Sequence, residues 1–457
     1  MTVSVVLFTS DLRVHDHPPL RAALEGAHEV VPLFVRDPAV DRAGFAAPNR
    51  LAFLADCLAD LDRALKDRGG RLVVRSGDTV AEVCAVVRQV QADEVHVAAG
   101  YSTFAHVRQE RLRSALEPDG CRFYVHDAVT TVMPPGDLTP QGSDHYAVFT
   151  PYYRRWVGEP LRKPLPAPRA VQVPHAVRSE EVPLRSAVEG VSAGLVAGGE
   201  SRGRKRLTAW MSHHGDSYAD RHDDLAGDVT SRLSPYLHFG ALSPFEAVHR
   251  ARARGGVGAE AFVRQVCWRD FYHQVLAARP EVAAQEYRSR RDGWRRGADA
   301  EADLRAWREG RTGYPVVDAA MRQLAHEGWM HNRARLITAS FLTKTLYVDW
   351  REGARHFLDL LVDGDVANNQ LNWQWVAGTG TDTRPNRVLN PIRQAQRYDP
   401  EGRYVHRWVP ELAGLSVPAL HQPWTLTGLD RAGYDYPDPL IALADGLARF
   451  RRAREAD

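Results

Sequence analysis

The sequence predicts an α/β domain followed by an all-α domain. Three observations carry this. Residues 1–130 alternate short apolar β-branched runs with helical patterns, residues 131–200 are broken by prolines, and helical spacing dominates after 200. Alternating β and α elements favour a parallel, doubly wound sheet. Scarce strand alternation in the second half favours helix packed on helix.

Strands are expected at 3–8, 30–35, 72–75, 94–98 and 122–125. Continuous apolar runs of this length suit strands buried on both faces. A helix between the second and third is marked by Leu51, Leu54, Leu58, Leu61 and Leu65, and stops at Gly69-Gly70. The turn after the first strand reads Thr9-Ser10-Asp11-Leu12-Arg13. It has no GxGxxG, so ordinary dinucleotide binding by this Rossmann-like domain is not supported. Pro134-Pro135, Pro160, Pro164, Pro166, Pro168, Pro174 and Pro183 then exclude a long helix and predict a surface connector, with the aromatic stretch 146–156 anchored to a domain. Helices follow at 203–213, 244–254, 258–278, 302–309, 315–327, 332–346, 351–362 and 440–454. The expected division is 1–130, 131–200 and 201–457.

Composition narrows the class. Hydrophobic residues are 44% and charged residues 25%, as in soluble globular proteins. No apolar run is long enough to span a membrane, and the start MTVSVVLFTSDLR lacks a basic n-region and a cleavage site, so a cytoplasmic location is expected. Cys57, Cys84, Cys121 and Cys267 are scattered without a CxxC pair, so they are expected to be buried free thiols, not zinc ligands or disulfides. Net charge is only +2, which excludes a simple polycation. Lysines are limited to Lys66, Lys163, Lys205 and Lys344; the bias toward Arg points to a GC-rich genome, and Arg also makes bidentate phosphate contacts.

Four stretches carry chemistry. Thr230 to Gly240 is a hydroxyl-rich turn in which Ser234-Pro235 resembles a helix start, with exposed N–H groups suited to a diphosphate or to an ordinary cap. Gln265, Trp268, Arg269 and Tyr272 share a helical face that fits either a base stack or a packed interface. Asn332, Arg335 and Leu336 also share a face, and Arg335 needs an acidic partner, Asp363 or Asp365. The run Asp363 to Trp375 joins two carboxylates, five amides and two indoles after an apolar helix, as a polar ligand site or a well-satisfied turn would.

Together these stretches resemble the DNA photolyase and cryptochrome family over nearly the whole chain. The resemblance rests on Asp11-Leu12-Arg13-Val14-His15-Asp16-His17-Pro18, on Arg50 to Gly77, on Thr312 to Leu324, on Gly328-Trp329-Met330-His331-Asn332-Arg333 and on Asp363-Gly364-Asp365.

The resemblance implies an antenna-chromophore domain, a connector and a helical catalytic domain that binds FAD. Tyr218, Thr230, Ser231, Leu233 and Ser234 fall on positions for the ribityl-diphosphate part, with Trp268, Arg269 and Asn332 lining the same cavity. Arg335 falls on the arginine over the flavin ring, Asp363 and Asp365 on acceptors, and Asn369 on the residue facing N5. Gln265, Trp268, Asn332, Arg333, Leu336, Trp375 and Arg387 fall on lesion or DNA contacts, with Arg393 and Arg397 as further phosphate grips. Trp373, Trp350 and Trp294 fall on a chain that carries electrons to the flavin. The implied activity is light-driven repair of cyclobutane pyrimidine dimers by electron transfer from excited reduced FAD, in a monomer on UV-damaged DNA, with no membrane or metal and with nucleoid association when bound. A second chromophore is expected, 8-hydroxy-5-deazaflavin before 5,10-methenyltetrahydrofolate, with Glu110 as a contact.

The chain departs from the family pattern at two points. Gln265 stands where cyclobutane-dimer enzymes of the family have Glu, and Leu336 replaces Met. Gln cannot give a proton, which keeps open a cryptochrome-like photoreceptor or a (6-4) photolyase. The absence of histidine at Asn332 and Leu336 argues against the (6-4) chemistry. Asn369 is photolyase-like, and the length leaves no long signalling tail.

Overall fold

The computed structural model describes residues 2–290 and 292–455. Contacts divide the chain into two compact units: Met1–Val191 with Val196–Ala219 and Ser231–Pro280, and Ser192–Leu195 with Asp220–Thr230 and Glu281–Asp457.

The first unit contains a five-stranded parallel sheet. Its strands are β1 (Val3–Phe8), β2 (Glu29–Arg36), β3 (Val73–Ser76), β4 (Glu94–Ala98) and β5 (Arg122–His126), in the order β3-β2-β1-β4-β5. β1, apolar except for Ser4, is buried at every position because it is the central strand, pairing Val5 with Val31 and Val95. The leucine stripe forms the helix Pro48–Lys66, which buries Leu58, Leu61 and Leu65. Leu51, in its first turn, stays exposed. The aromatic stretch of the connector folds as the helix Phe149–Gly158. It is anchored as expected: fully buried Trp156 donates its indole N–H to Asp270 Oδ2 at 2.9 Å. The same oxygen accepts from Val132 N and Met133 N, both at 2.9 Å. Asp270 lies on the helix Val257–Ala278, so one carboxylate ties connector to helix within this unit. The units therefore cut across the sequence divisions at 130 and 200.

The second unit is helical. It includes Pro315–Glu327, Asn332–Ser340, Trp350–Leu360, Val366–Ala377, Pro391–Tyr398 and Leu443–Glu455. The single helix expected over 332–346 is corrected by the structure: after Ser340 it widens into a π-helical turn, Phe341–Thr345. Leu346 N reaches Phe341 O at 2.9 Å, five residues back, and Thr343 Oγ1 bonds Ala339 O at 2.7 Å. The run from Asp363 is only partly a turn. Asp365 caps the helix that follows, accepting from Asn368 N at 2.7 Å, and Gly378 in left-handed conformation ends it. Trp307, Trp350, Phe357 and Trp373 lie in the core cluster of this unit. All four cysteines are buried and free, as the sequence predicts. Among the described residues no helix is long and apolar enough to cross a membrane.

Candidate active site

Two adjoining clefts in the second unit collect nine of the predicted site residues. The first, about 470 Å³, is lined by Asn332, Arg335, Leu336, Asp363, Asn369 and Trp373, among others. The shared face of the helix Asn332–Ser340 delivers the first three. Of the two candidate partners, Asp363 takes the arginine: Arg335 Nη2 donates to its two carboxylate oxygens at 3.0 and 2.8 Å. Arg335 Nε donates to Met330 O at 2.9 Å, which fixes the fork. The Asp363 side chain is 4% exposed and that of Arg335 24%, so the charge is compensated where water is scarce.

Asn369 is buried, and its amide is oriented by its surroundings. Nδ2 donates to Ala354 O and to Gln370 Oε1, both at 3.0 Å. A backbone carbonyl only accepts, so the nitrogen must face Ala354 and Oδ1 remains as the acceptor. An acceptor is what a protonated flavin N5 needs.

The second cleft, about 320 Å³, is lined by Arg333, Leu336, Lys344, Trp375, Asp382 and Arg387, among others. Leu336 lines both. Arg333 is already engaged: its fork bonds Asp223 at 3.2 and 2.5 Å, and it lies over Tyr398. A phosphate would compete with that carboxylate. Arg384, Arg387, Arg393 and Arg397 are exposed.

The sequence reading missed Lys344. It is 1% exposed, and Nζ donates to Pro385 O at 2.8 Å and Arg387 O at 2.6 Å. It therefore holds the segment that carries Arg387. Burial lowers its pKa to about 7, opposed by Asp382. The available signal was one of only four lysines, set among Phe341, Leu342 and Leu346, in a chain that mostly uses Arg. Asn368 and Asn372, which also line the first cleft, were not singled out either.

The three tryptophans of the predicted electron route lie in this unit. Trp373 packs against Gly353, where an added Cβ would stand 2.6 Å from its ring carbon Cζ3. Gly353 is one helical turn from Trp350, which is fully buried with an indole N–H that has no hydrogen-bond partner among the described residues. Trp294, partly buried, packs against Tyr347 with the rings tilted.

The first unit holds Tyr218, Ser231, Leu233, Ser234, Gln265, Trp268 and Arg269. The helix Ser234–His238 has Pro at its first turn, as expected, but Leu233 stands at the cap without a side-chain bond. Ser234 is therefore not the N-cap, because the helix includes it. Trp268 stacks on Phe149 with centroids 3.7 Å apart and planes 5° from parallel. Tyr272, on the same face, is 5.5 Å from Trp268. Arg269 donates to Thr130 O and Leu237 O. Gln265 is exposed. The Glu110 side chain is 73% exposed and pairs with Arg113 at 3.7 Å.

The residues present fit FAD. Thr230 in the second unit has a buried hydroxyl without a hydrogen-bond partner among the described residues. Such a group calls for a ligand or water. The first cleft offers a guanidinium, a carboxylate and a free amide oxygen side by side. That is the mixed donor and acceptor set a flavin ring edge requires. Among the described residues no group of three or more His, Cys, Asp or Glu could hold a metal ion.

Comparison with known proteins agrees with this geometry. Residues 4–169 match the family described as DNA photolyase, and residues 262–456 match the FAD binding domain of DNA photolyase. A deoxyribodipyrimidine photo-lyase of Streptomyces griseus is 64% identical over 458 residues, covering 100% of both chains. That of Escherichia coli is 33% identical, again over 100% of both. Among solved structures, a bacterial class III photolyase from Agrobacterium tumefaciens has a TM-score of 0.93 at 32% identity, covering 100% of this chain and 98% of that one. An archaeal photolyase from Sulfolobus tokodaii with two FAD molecules has a TM-score of 0.89 at 30% identity, covering 100% of both chains. A Synechocystis cryptochrome has a TM-score of 0.91 at 28% identity, covering 99% of each. With both halves of the sequence matched and full-length relatives at 64% and 33% identity, the chain belongs to the DNA photolyase and cryptochrome family.

Proposed function

We propose that this protein is a deoxyribodipyrimidine photo-lyase that repairs cyclobutane pyrimidine dimers in UV-damaged DNA. The observation that carries the reading is the first cleft, where Asn369 presents an oriented amide oxygen beside the Arg335–Asp363 pair, with Asn332 and Leu336 on the same helical face as Arg335. When bound and reduced, FAD supplies a light-driven electron donor. The protein's residues position, exclude water and compensate charge.

Tyr218, Thr230, Ser231, Leu233, Ser234, Trp268, Arg269, Asn332, Arg335, Asp363, Asp365 and Asn369 form the cofactor set in this reading. Asn369 Oδ1 accepts from N5–H and so favours the reduced ring. Arg335 balances negative charge on that ring, and Asp363 keeps the guanidinium in place. Gln265, Trp268, Asn332, Arg333, Leu336, Trp375 and Arg387 receive the flipped lesion, as base-flipping enzymes of this family do. Leu336 and Trp375 present apolar surface to the pyrimidine rings, and exposed Arg387 meets the backbone. Residues 1–130 serve the antenna, 131–200 connect, and 201–457 bind FAD. The antenna itself is proposed as 8-hydroxy-5-deazaflavin, with 5,10-methenyltetrahydrofolate as the alternative; the Sulfolobus relative with two FAD molecules adds a third chemistry to test. The protein acts as a cytoplasmic monomer that joins the nucleoid when bound to DNA.

Blue light on the reduced holoprotein with thymine-dimer DNA is the deciding assay. Dimer loss supports the reading, and persistence of the dimer with fully reduced flavin overturns it. A second reading, a photoreceptor without repair, is favoured by Gln265 and by the likeness to the Synechocystis cryptochrome. It requires a light-dependent change in partner or oligomeric state, and an elution profile insensitive to light argues against it. Extraction and absorption spectroscopy of the bound chromophores identify the antenna.

A further inference from the structure

At the outer end of the tryptophan series, Trp294 does not stand alone. Its ring lies 4.9 Å from that of Tyr347, with 38° between the planes. The Tyr347 hydroxyl donates to Asp292 Oδ1 at 2.8 Å. The phenol is 2% exposed, the Asp292 side chain is fully buried, and Arg454 stands 3.2 Å from the other carboxylate oxygen. The arrangement is held firmly. Arg295 N bonds Tyr347 O at 3.0 Å, and Gln374 pins the segment leading to Asp292 through Val282 O at 2.8 Å, Gln285 O at 3.0 Å and Tyr287 N at 2.8 Å. Tyr347 itself has φ +58°, a left-handed conformation rare for a bulky side chain. Such a conformation persists only where the surroundings impose it.

Two chemical contrasts give the cluster a direction. Trp350, three residues on from Tyr347 and the first residue of the next helix, has an indole N–H with no partner among the described residues, and Arg351 lies 4.8 Å over its ring. An oxidised Trp350 can neither release its proton to a neighbour nor keep its positive charge cheaply beside a guanidinium. Tyr347 is the reverse case: it has a carboxylate at hydrogen-bond distance, ready to take the proton that an oxidised phenol sheds.

We infer that Tyr347 is the terminal electron donor of the route through Trp373, Trp350 and Trp294, with Asp292 as its proton acceptor. This rests on the proposed role of those three tryptophans. The oxidant is blue-light-excited oxidised flavin, which draws an electron through the series and leaves a Trp294 radical cation. One electron then passes from Tyr347 to that cation and restores neutral Trp294. The phenolic proton moves along the hydrogen bond to Asp292. The products are a neutral tyrosyl radical and a protonated carboxyl group. The radical is shielded from water, so the separated charge outlives that on the partly buried indole of Trp294.

The test uses the full-length, FAD-loaded, oxidised protein and reads radicals by flash absorption and electron paramagnetic resonance. Expected in the parent is a tyrosyl signal that rises as the Trp294 signal decays, more slowly in D₂O than in H₂O. Tyr347→Phe keeps the ring against Trp294 and loses that signal, leaving a longer-lived tryptophan radical. Asp292→Asn delays the tyrosyl rise. Identical Trp294 decay in parent and Tyr347→Phe, with no tyrosyl signal, overturns the proposal while leaving the tryptophan route standing. Unchanged light-induced radicals in Trp294→Phe overturn both.

Discussion

Arg335 holds Asp363 through a single nitrogen, Nη2, which reaches both carboxylate oxygens. Its Nε is spent on Met330 O, so the fork cannot present its usual two-nitrogen face to the carboxylate. The remaining edge is left for the ligand. Removing either partner strands a charge in a poorly hydrated cleft, which costs about 3 kcal/mol for a buried pair. Asp363→Ala is therefore expected to weaken FAD retention by roughly 100-fold. Flavin content after gel filtration and a fluorescence titration of the apoprotein measure it; retention equal to the parent refutes this role.

Trp350→Phe should slow photoreduction of oxidised FAD by about tenfold, equivalent to roughly 1.4 kcal/mol in the effective barrier. Repair by protein reduced beforehand with dithionite should stay at the parent rate, because the dimer does not draw on this route. Flash photoreduction and the dimer assay, run on one preparation, separate the two. Equal photoreduction in mutant and parent contradicts the assignment.

Gly353→Ala places a methyl group 2.7 Å from Leu342 Cδ2 and 2.2 Å from Trp373 Cη2. Overpacking of this kind costs about 1–3 kcal/mol. A lower melting temperature and a shifted tryptophan emission are expected, and Gly353→Ser should show the same direction. A variant as stable as the parent means that the helix can move aside.

Lys344 makes stability depend on alkaline pH in a definite sense. Its folded pKa is about 7 against an ordinary 10.5, so between those values the unfolded chain binds more protons than the folded one. The penalty for burying the charged lysine is full below about pH 7 and fades as pH rises toward the ordinary value. Parent stability should therefore climb, relative to Lys344→Met, from neutral to alkaline pH. Melting curves over that range measure the difference; parallel curves would show that Lys344 is not the group responsible.

Much of this was legible in the chain because it depends on local spacing. The central strand declares itself as six consecutive apolar or small residues, Val3–Phe8, and is buried at all of them. Asn332, Arg335 and Leu336 meet at one cleft because positions three and four apart share a helical face. Spacing alone did not choose between Asp363 and Asp365, because that choice is made by tertiary approach, with Asp365 spent on capping. The orientation of Asn369 was hidden for the same reason: its partner, Ala354 O, is fifteen residues away. Lys344 and Tyr347 escaped notice because each sits in an apolar run whose plain reading is core. What sets them apart is a pair of carbonyls in one case and a buried carboxylate in the other, and both lie far off in sequence.

The π-helical turn Phe341–Thr345 has a further consequence for how this protein can change over generations. It accommodates one residue more than an α-turn would, and each residue of an α-helix turns the chain by about 100°. Deleting any one of the five would let the helix close to the tighter repeat and swing everything downstream by that angle. Lys344 would leave its carbonyls, Tyr347 would leave Trp294, and Gly353 would carry its helix away from the ring of Trp373. Substitution can explore this segment one side chain at a time. A change in its length cannot be explored in steps, and natural variants should keep the residue count between Asn332 and Trp350 even where the residues themselves have diverged.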